Sequence, residues 1–260
     1  MIGTNQRPVE REYLIVSAAA IFLCVAASTG LRADPRFPPG FVELREVDAS
    51  ILQDMRYAGP NNFVGRPLPG YGNAQCALKR AAAEALKRVQ RDLAPKQLSL
   101  KVFDCYRPIR AVKAMADWAK DGKAASTNGR FFPRIKKNAL FPLGYIAARS
   151  THSLGTAVDI SLVDLALTAS KSAREPQVPC TAPYSERGPA DGVDMGTGFD
   201  CFDIKSHTAS TDITAEQKQR RLLLVNAMRK HGFMNYAREW WHFSYAGHAP
   251  ASNTSAPRAP

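Results

Sequence analysis

The chain is short of the residues that usually mark a metal or redox protein. Its 260 residues hold only five histidines and five cysteines. No two cysteines stand in a C-x-x-C spacing, which removes the cysteine-rich zinc sites of ribbons and fingers. Cysteine this sparse also excludes a small disulfide-held scaffold. Long apolar runs are equally scarce. A single uncharged stretch, Tyr13 to Leu31, reaches 19 residues, so a multi-span membrane protein is excluded. Acids are the minority charge, with 23 Asp and Glu against 35 Lys and Arg, a net charge of +12. Such a balance suits nucleic acid, an anionic surface or an acidic polymer as neighbour. No basic stripe with interleaved aromatics is present, which argues against nucleic acid. No internal repeat is visible, which argues against a solenoid.

What is present suits a globular domain: 45% of residues are apolar and 22% are charged. The first 33 residues read as a signal peptide or an N-terminal anchor. Arg7 and Arg11 precede the run YLIVSAAAIFLCVAA, and small residues follow it. The last 13, HAPASNTSAPRAP at 248–260, read as a disordered tail. One domain over 34–247 remains, expected in the periplasm or outside the cell. Removing the signal removes Cys24 and leaves Cys76, Cys105, Cys180 and Cys201. An oxidising compartment favours their pairing. Four cysteines allow three connectivities, among which sequence does not choose, with buried free thiols as the alternative. The pairing Cys76–Cys105 with Cys180–Cys201 is preferred, because the second bridge would staple a long irregular segment.

The body alternates helical and extended patterns. Ala77 to Leu93 places Leu78, Ala82, Leu86, Val89 and Leu93 at helical spacing, and Pro95 ends it. Leu98 to Phe103 alternates as a half-buried strand does. Pro108 opens a helix to Lys120. Thr156 to Val163 is a second strand. Thr214 with Gln217 forms a capping-box pattern for a helix that runs to His231 and stops at Gly232. Phe233 to Tyr245 reads as strand, turn and strand. Two long irregular stretches, 121–149 and 169–198, separate these elements. The expected class is α+β, a small and mainly antiparallel sheet flanked by helices.

Two short stretches carry chemistry. In Ser150-Thr-His152-Ser-Leu-Gly155-Thr-Ala157-Val-Asp159, a histidine and an aspartate lie seven apart around a glycine that permits a tight turn. Asp159 interrupts an apolar strand pattern, where a carboxylate is costly unless it is paired or bound to metal. Far downstream stands Glu239-Trp240-Trp241-His242. His152, Asp159 and His242 make the three-ligand N/O set with which a catalytic zinc keeps one position open for water. Glu239 is then the general base. Trp240 and Trp241 read as packing, and His207 and His231 as bystanders.

Taken together, S-x-H-x-x-G-x-A-x-D followed by E-x-W-H resembles the zinc D,D-peptidase family that includes the D-alanyl-D-alanine dipeptidases. Asp104-Cys105-Tyr106-Arg107-Pro108 is similar to that family's D-x-Y-R-P stretch. Met195-Gly-Thr-Gly-Phe-Asp200 is similar to its M-G-x-x-F-D segment. Tyr57, Asn62-Phe63-Val64-Gly65 and Tyr71 resemble its N-terminal region. The likeness runs from about Leu44 to Tyr245 and fits the VanX-type dipeptidase branch best. It implies the family's hedgehog/DD-peptidase-like fold and one Zn2+ per chain on His152, Asp159 and His242. It implies Glu239 as the base and Arg107 as the oxyanion partner. Asp200 would grip the substrate ammonium, while Ser150, Tyr57 and Tyr71 would line the cleft and Asp104 would orient Arg107.

The implied activity is hydrolysis of D-alanyl-D-alanine or a related D,D-dipeptide, in the turnover of peptidoglycan precursors or fragments. A D,D- or L,D-carboxypeptidase acting on stem peptides shares the same zinc core. A cell-wall binding protein without turnover is the alternative from another class. The expected partner is a small D,D-dipeptide, with no nucleic acid and no membrane beyond an N-terminal anchor; the oligomeric state stays open. Two departures from the branch stand out. Its familiar members are largely cytoplasmic, and the segment between Asp159 and Asp200 is longer here, which bears on the shape of the cleft.

Overall fold

The computed structural model describes residues 1–3, 37–166 and 177–247. The remainder of the expected signal, with Cys24, lies outside the described residues, as do the tail at 248–260 and residues 167–176 of the long segment. Among the described residues no helix is long and apolar enough to cross a membrane. The described residues from 37 to 247 group as one unit.

The centre is a five-stranded sheet in the order β2-β4-β5-β7-β6, with β2 at Leu52–Gln53, β4 at Leu98–Asp104, β5 at Ala157–Asp164, β6 at Phe233–Asn235 and β7 at His242–Tyr245. The β2–β4 pair is parallel and the other three pairs are antiparallel. The class is therefore α+β with a mainly antiparallel sheet, as expected. A separate two-stranded sheet pairs β1 (Phe41–Glu43) with β3 (Ala77–Lys79). The short helix α1 (Leu44–Val47) continues directly from β1.

β5 is the middle strand, and its first seven residues are all buried. Val158, Ile160 and Leu162 face one side, while Asp159 and Ser161 face the other. Helix α2 (Arg80–Leu93) buries Ala82, Leu86, Val89 and Leu93, the stripe legible in its sequence. Helix α3 (Ile109–Lys120) buries Ala111, Val112, Met115 and Trp118. Helix α6 (Ala215–Lys230) starts with the capping box: Gln217 N donates to Thr214 Oγ1 at 3.2 Å and Thr214 N to Gln217 Oε1 at 2.9 Å. Short helices α4 (Asn128–Phe131) and α5 (Tyr184–Arg187) interrupt the two irregular stretches.

One boundary differs from the sequence expectation by more than a single residue. The helix expected from Ala77 begins at Arg80, and Ala77 to Lys79 form β3 instead. Leu78 fits both a helical stripe and a buried strand; pairing opposite Val42 in β1 decides for the strand. The disulfides join Cys76 to Cys105 and Cys180 to Cys201, with Cα separations of 5.2 and 5.4 Å. This is the preferred pairing of the three.

Candidate metal centre and active site

Sheet register brings two of the three expected ligands together. Asp159 of β5 pairs directly with His242 of β7 on one side, and with Asp104 of β4 on the other. Directly opposed residues on adjacent strands hold their Cβ atoms about 4.5–5.5 Å apart, so these side chains meet without a loop to place them. His152 arrives from outside the sheet, on the 3-10 turn Thr151–Leu154. Ser150 caps that turn through its hydroxyl, which accepts from His152 N at 3.3 Å. Gly155 ends it at φ +70°, where a Cβ would lie 2.1 Å from Phe41 Cε1. The spacing S-x-H-x-x-G is thus a cap, a ligand and a left-handed stop that must be glycine.

The three donor atoms converge. His242 Nδ1 lies 3.0 Å from Asp159 Oδ1 and 3.1 Å from His152 Nε2, and His152 Nε2 is 3.3 Å from Asp159 Oδ1. Zinc bonds of about 2.0–2.1 Å at tetrahedral angles place donors about 3.3 Å apart, so the set fits a zinc-sized cation. Outer contacts fix the ring orientations. His152 Nδ1 donates to the Cys105 carbonyl at 2.7 Å, which turns Nε2 toward the other two donors. His242 Nε2 faces the Thr151 hydroxyl at 3.5 Å. Burial lowers the His242 pKa although Asp159 opposes this, and the neutral imidazole is the metal-binding form. Burial works against ionisation of Asp159, yet His152 and His242 hold its carboxyl below the ordinary range.

Arg107 stands beside this cluster, just past the end of β4. Its Nε donates to Asp104 Oδ2 at 2.9 Å, Nη2 lies 2.8 Å from the same oxygen and 3.5 Å from Asp159 Oδ2, and the guanidinium covers the Tyr57 ring at 5.0 Å. Burial disfavours its charge, but the carboxylate of Asp104, with Asp159 beyond it, outweighs that and raises its pKa. Asp104 is fully buried and also accepts from Tyr71 OH at 2.7 Å. Asp104 therefore sits where it can orient Arg107.

Glu239 lies 4.0 Å from His242 Nδ1. Burial first, then Asp159 and Asp200, push its pKa well up; Arg107 opposes. Asp200 is buried at φ +56° and accepts from Tyr57 OH at 2.8 Å. Burial and Asp159 raise its pKa as well. Burial likewise raises Tyr57 and Tyr71, so both phenols stay protonated as donors to Asp200 and Asp104. Three backbone carbonyls, of Met195, His207 and Lys205, accept from the buried Arg221 at 2.8, 2.6 and 3.0 Å. Arg221 thereby seats the Met195–Asp200 segment on α6. Trp240 is buried, and its indole donates to Thr197 Oγ1 at 2.9 Å.

The structure thus gathers His152, Asp159, His242, Glu239, Arg107 and Asp104 in one cluster, with Tyr57 and Asp200 joined to it. Tyr71 reaches it through Asp104, and Ser150 holds the His152 turn through its cap. Sequence reasoning missed Thr151 and the Cys105 carbonyl beside the two histidine rings. It also missed Tyr145, half-buried, whose pKa is pushed to about 12 by burial and by the carboxylates of Asp203 and Glu239. Neither a backbone carbonyl nor a loop tyrosine carries a sequence signature of such a role. His207 lies 3.4 Å from Tyr145 OH, and His231 pairs with Asp92 at 2.8 Å, away from the cluster.

Comparison with known proteins follows the same line. The sequence pattern described as D-ala-D-ala dipeptidase matches residues 38–173 and 166–257. A D-alanyl-D-alanine dipeptidase of Enterococcus faecium is 30% identical over 204 residues, 78% of this chain and 90% of that protein. Its namesakes in Streptomyces coelicolor and Escherichia coli are 32% and 26% identical, over 90% and 82% of their lengths. A crystal structure of the vancomycin-resistance D,D-dipeptidase VanXYg with a D-Ala-D-Ala phosphinate analog is 18% identical. It aligns with a TM-score of 0.33 over 80% of this chain and 67% of that one, too distant to add to the fold described above. On the breadth of the sequence match, the chain belongs to the D-ala-D-ala dipeptidase family of metallopeptidases.

Proposed function

We propose that this chain is a zinc D,D-dipeptidase that hydrolyses D-alanyl-D-alanine or a closely related D,D-dipeptide. The observation that carries the reading is the arrangement around one three-donor cluster: Glu239 and Arg107 beside it, and Asp200 joined to Tyr57, over which Arg107 lies. His152, Asp159 and His242 would hold the zinc, which supplies Lewis-acid polarisation of the scissile carbonyl and a more acidic water.

The chain's own residues do the rest. Glu239 Oε2 accepts the proton of the attacking water and delivers a proton to the departing amine. Burial pushes its pKa up from the ordinary carboxylate range, which makes it a better proton acceptor than an ordinary glutamate. Arg107 is held through Nε and Nη2 to Asp104 and through Nη1 to Met115 Sδ at 3.6 Å, and its Nη2, 3.5 Å from Asp159 Oδ2, is the nitrogen turned to the cluster and to the oxyanion that develops on the carbonyl; a fixed fork of this kind needs no reorganisation. Asp200 takes the free ammonium of the dipeptide. The incoming cation draws Asp200 back to its ionised form against the burial that disfavours it. A free amine next to the scissile bond is thereby required, which separates this reading from a carboxypeptidase on stem peptides.

We further infer that the protein works in the periplasm or outside the cell, on peptidoglycan precursors or fragments. Two disulfides and the uncharged N-terminal stretch support that reading. The test is a panel of D,D-, L,D- and L,L-dipeptides, N-acetylated D-Ala-D-Ala and a pentapeptide stem, each with zinc and after chelation. Hydrolysis confined to free-amine D,D-dipeptides and restored by zinc is expected. Preferential cleavage of the stem would replace the reading with the carboxypeptidase. No hydrolysis of any substrate would leave the wall-binding protein.

A further inference from the structure

The two disulfides end at residues that adjoin the site, one on each side of it. Strand β4 shifts register between Val102 and Asp104 and ends there, so the next residues, Cys105 to Pro108, have no strand partner. Those residues nevertheless carry Arg107 and the carbonyl that orients His152. Hydrogen bonds to neighbouring turns hold them instead: Cys105 N and Arg107 Nε donate to Asp104 at 2.9 Å each, Ser153 Oγ donates to Arg107 O at 2.7 Å, and Pro108 O accepts from Ala111 N at 2.8 Å. Tyr106 N donates to Ala77 O at 3.0 Å and Arg107 N to His152 O at 3.2 Å. The covalent bond from Cys105 to Cys76 fastens the stretch to the residue just before β3. Cys76 is itself anchored: its N donates to Gln53 Oε1 at 3.1 Å, and its O accepts from Leu44 N at 2.9 Å.

The second bridge repeats the logic at the other edge. Asp200 sits in a left-handed conformation that a side-chain-bearing residue keeps only when its surroundings impose it. Cys201 follows it immediately and is bonded to Cys180, whose N donates to Arg130 O at 2.7 Å and whose O accepts from Gly198 N at 2.8 Å. The turn bearing Asp200 is thus bracketed by Gly198 and Cys201, both tied to Cys180.

We propose that the bridges are positioning devices with separable duties: Cys76–Cys105 holds the metal-binding and oxyanion side of the site, and Cys180–Cys201 holds the ammonium side. The second duty rests on the dipeptidase reading above; the first does not. A bridge that only stabilised the domain would affect every property of the site alike.

The experiment compares the oxidised protein with two double variants, C76A/C105A and C180A/C201A. Zinc affinity is measured by competition with a chromogenic chelator, and kcat and KM are measured on D-Ala-D-Ala. For C76A/C105A, zinc affinity falls about 10- to 100-fold, the range for lost outer-sphere support, kcat falls, and KM stays within about threefold. For C180A/C201A, zinc affinity stays within about twofold while KM rises at least about tenfold. Unchanged values in both variants, or equal losses of all three quantities in both, overturn the proposal. Should a variant not fold, the oxidised protein is partly reduced with a phosphine, alkylated and freed of reductant. Bridge occupancy by mass spectrometry is then set against zinc affinity. Affinity must follow the first bridge and ignore the second; affinity indifferent to the first bridge overturns the proposal. Chelator competition needs no turnover, so an inactive wild-type protein would sink the substrate reading and leave the metal arm standing.

Discussion

At the scale of single residues, Glu239 and Arg107 bear most of the proposed chemistry. Replacing Glu239 with Gln keeps the shape and removes the proton acceptor. Turnover should fall about 10²–10⁴-fold while metal content by atomic absorption stays at one per chain. In the metal-free protein the Glu239 carboxyl should titrate well above the ordinary glutamate value of about 4.3. Carboxyl ¹³C shifts followed against pH check this, and added zinc should move the midpoint down, since a nearby cation favours the charged form. Arg107→Lys keeps the charge but loses the fork shared with Asp104; kcat should fall about 10²–10³-fold with zinc affinity intact. The residues behind these predictions were legible for a plain reason. A carboxylate inside the apolar run of β5 is costly without a partner, and side chains that bind metal are chemically distinctive. What escaped the sequence was the support, since the Cys105 carbonyl belongs to a backbone every residue shares.

At the scale of elements, the site depends on where strands stop and turns reverse. Gly155→Ala would meet Phe41 and a disfavoured φ together, so the His152 turn must shift. Loss of metal affinity before loss of the fold is expected, read by chelator competition beside circular dichroism. Helices α2 and α6 are joined away from the site by Asp92, which accepts from Lys230 at 2.6 Å and His231 at 2.8 Å. Lys230 first, then His231, lower the Asp92 pKa to about 2. The folded value lies below the unfolded one, so this contact stabilises fully above about pH 4 and is lost as pH falls through about 2. The pair is partly exposed, and Asp92→Asn should therefore cost no more than about 1 kcal/mol at pH 7 and progressively less as pH falls below about 4, by urea unfolding. Elements with a long period or a cap, such as α2 and α6, were readable in advance. The three-residue β3 was not, because Leu78 satisfies a helical stripe as well as a strand, and only its partner β1, over thirty residues away, separates the two.

For the whole molecule, one sheet serves both as core and as site. Asp104, Asp159 and His242 lie in a row across three adjacent strands, so the cluster inherits the rigidity of the sheet interior. Bound metal should in turn stabilise the fold. At a thousand times Kd the gain is about 4 kcal/mol, and chelation should lower Tm by about 10 °C in a domain of this size. Closing loops of 29 and 21 residues, the two disulfides each contribute about 3–4 kcal/mol on the chain-entropy account. The edge of the molecule also matters to its centre. Phe41, in the first strand, fills the space beside Gly155 at the end of the His152 turn. Any proteolytic cut near the N-terminus therefore meets a limit set by chemistry far downstream: cuts before Phe41 spare the prop behind the ligand turn, and a cut beyond it yields a trimmed chain with a full set of metal donors and one of them unsupported.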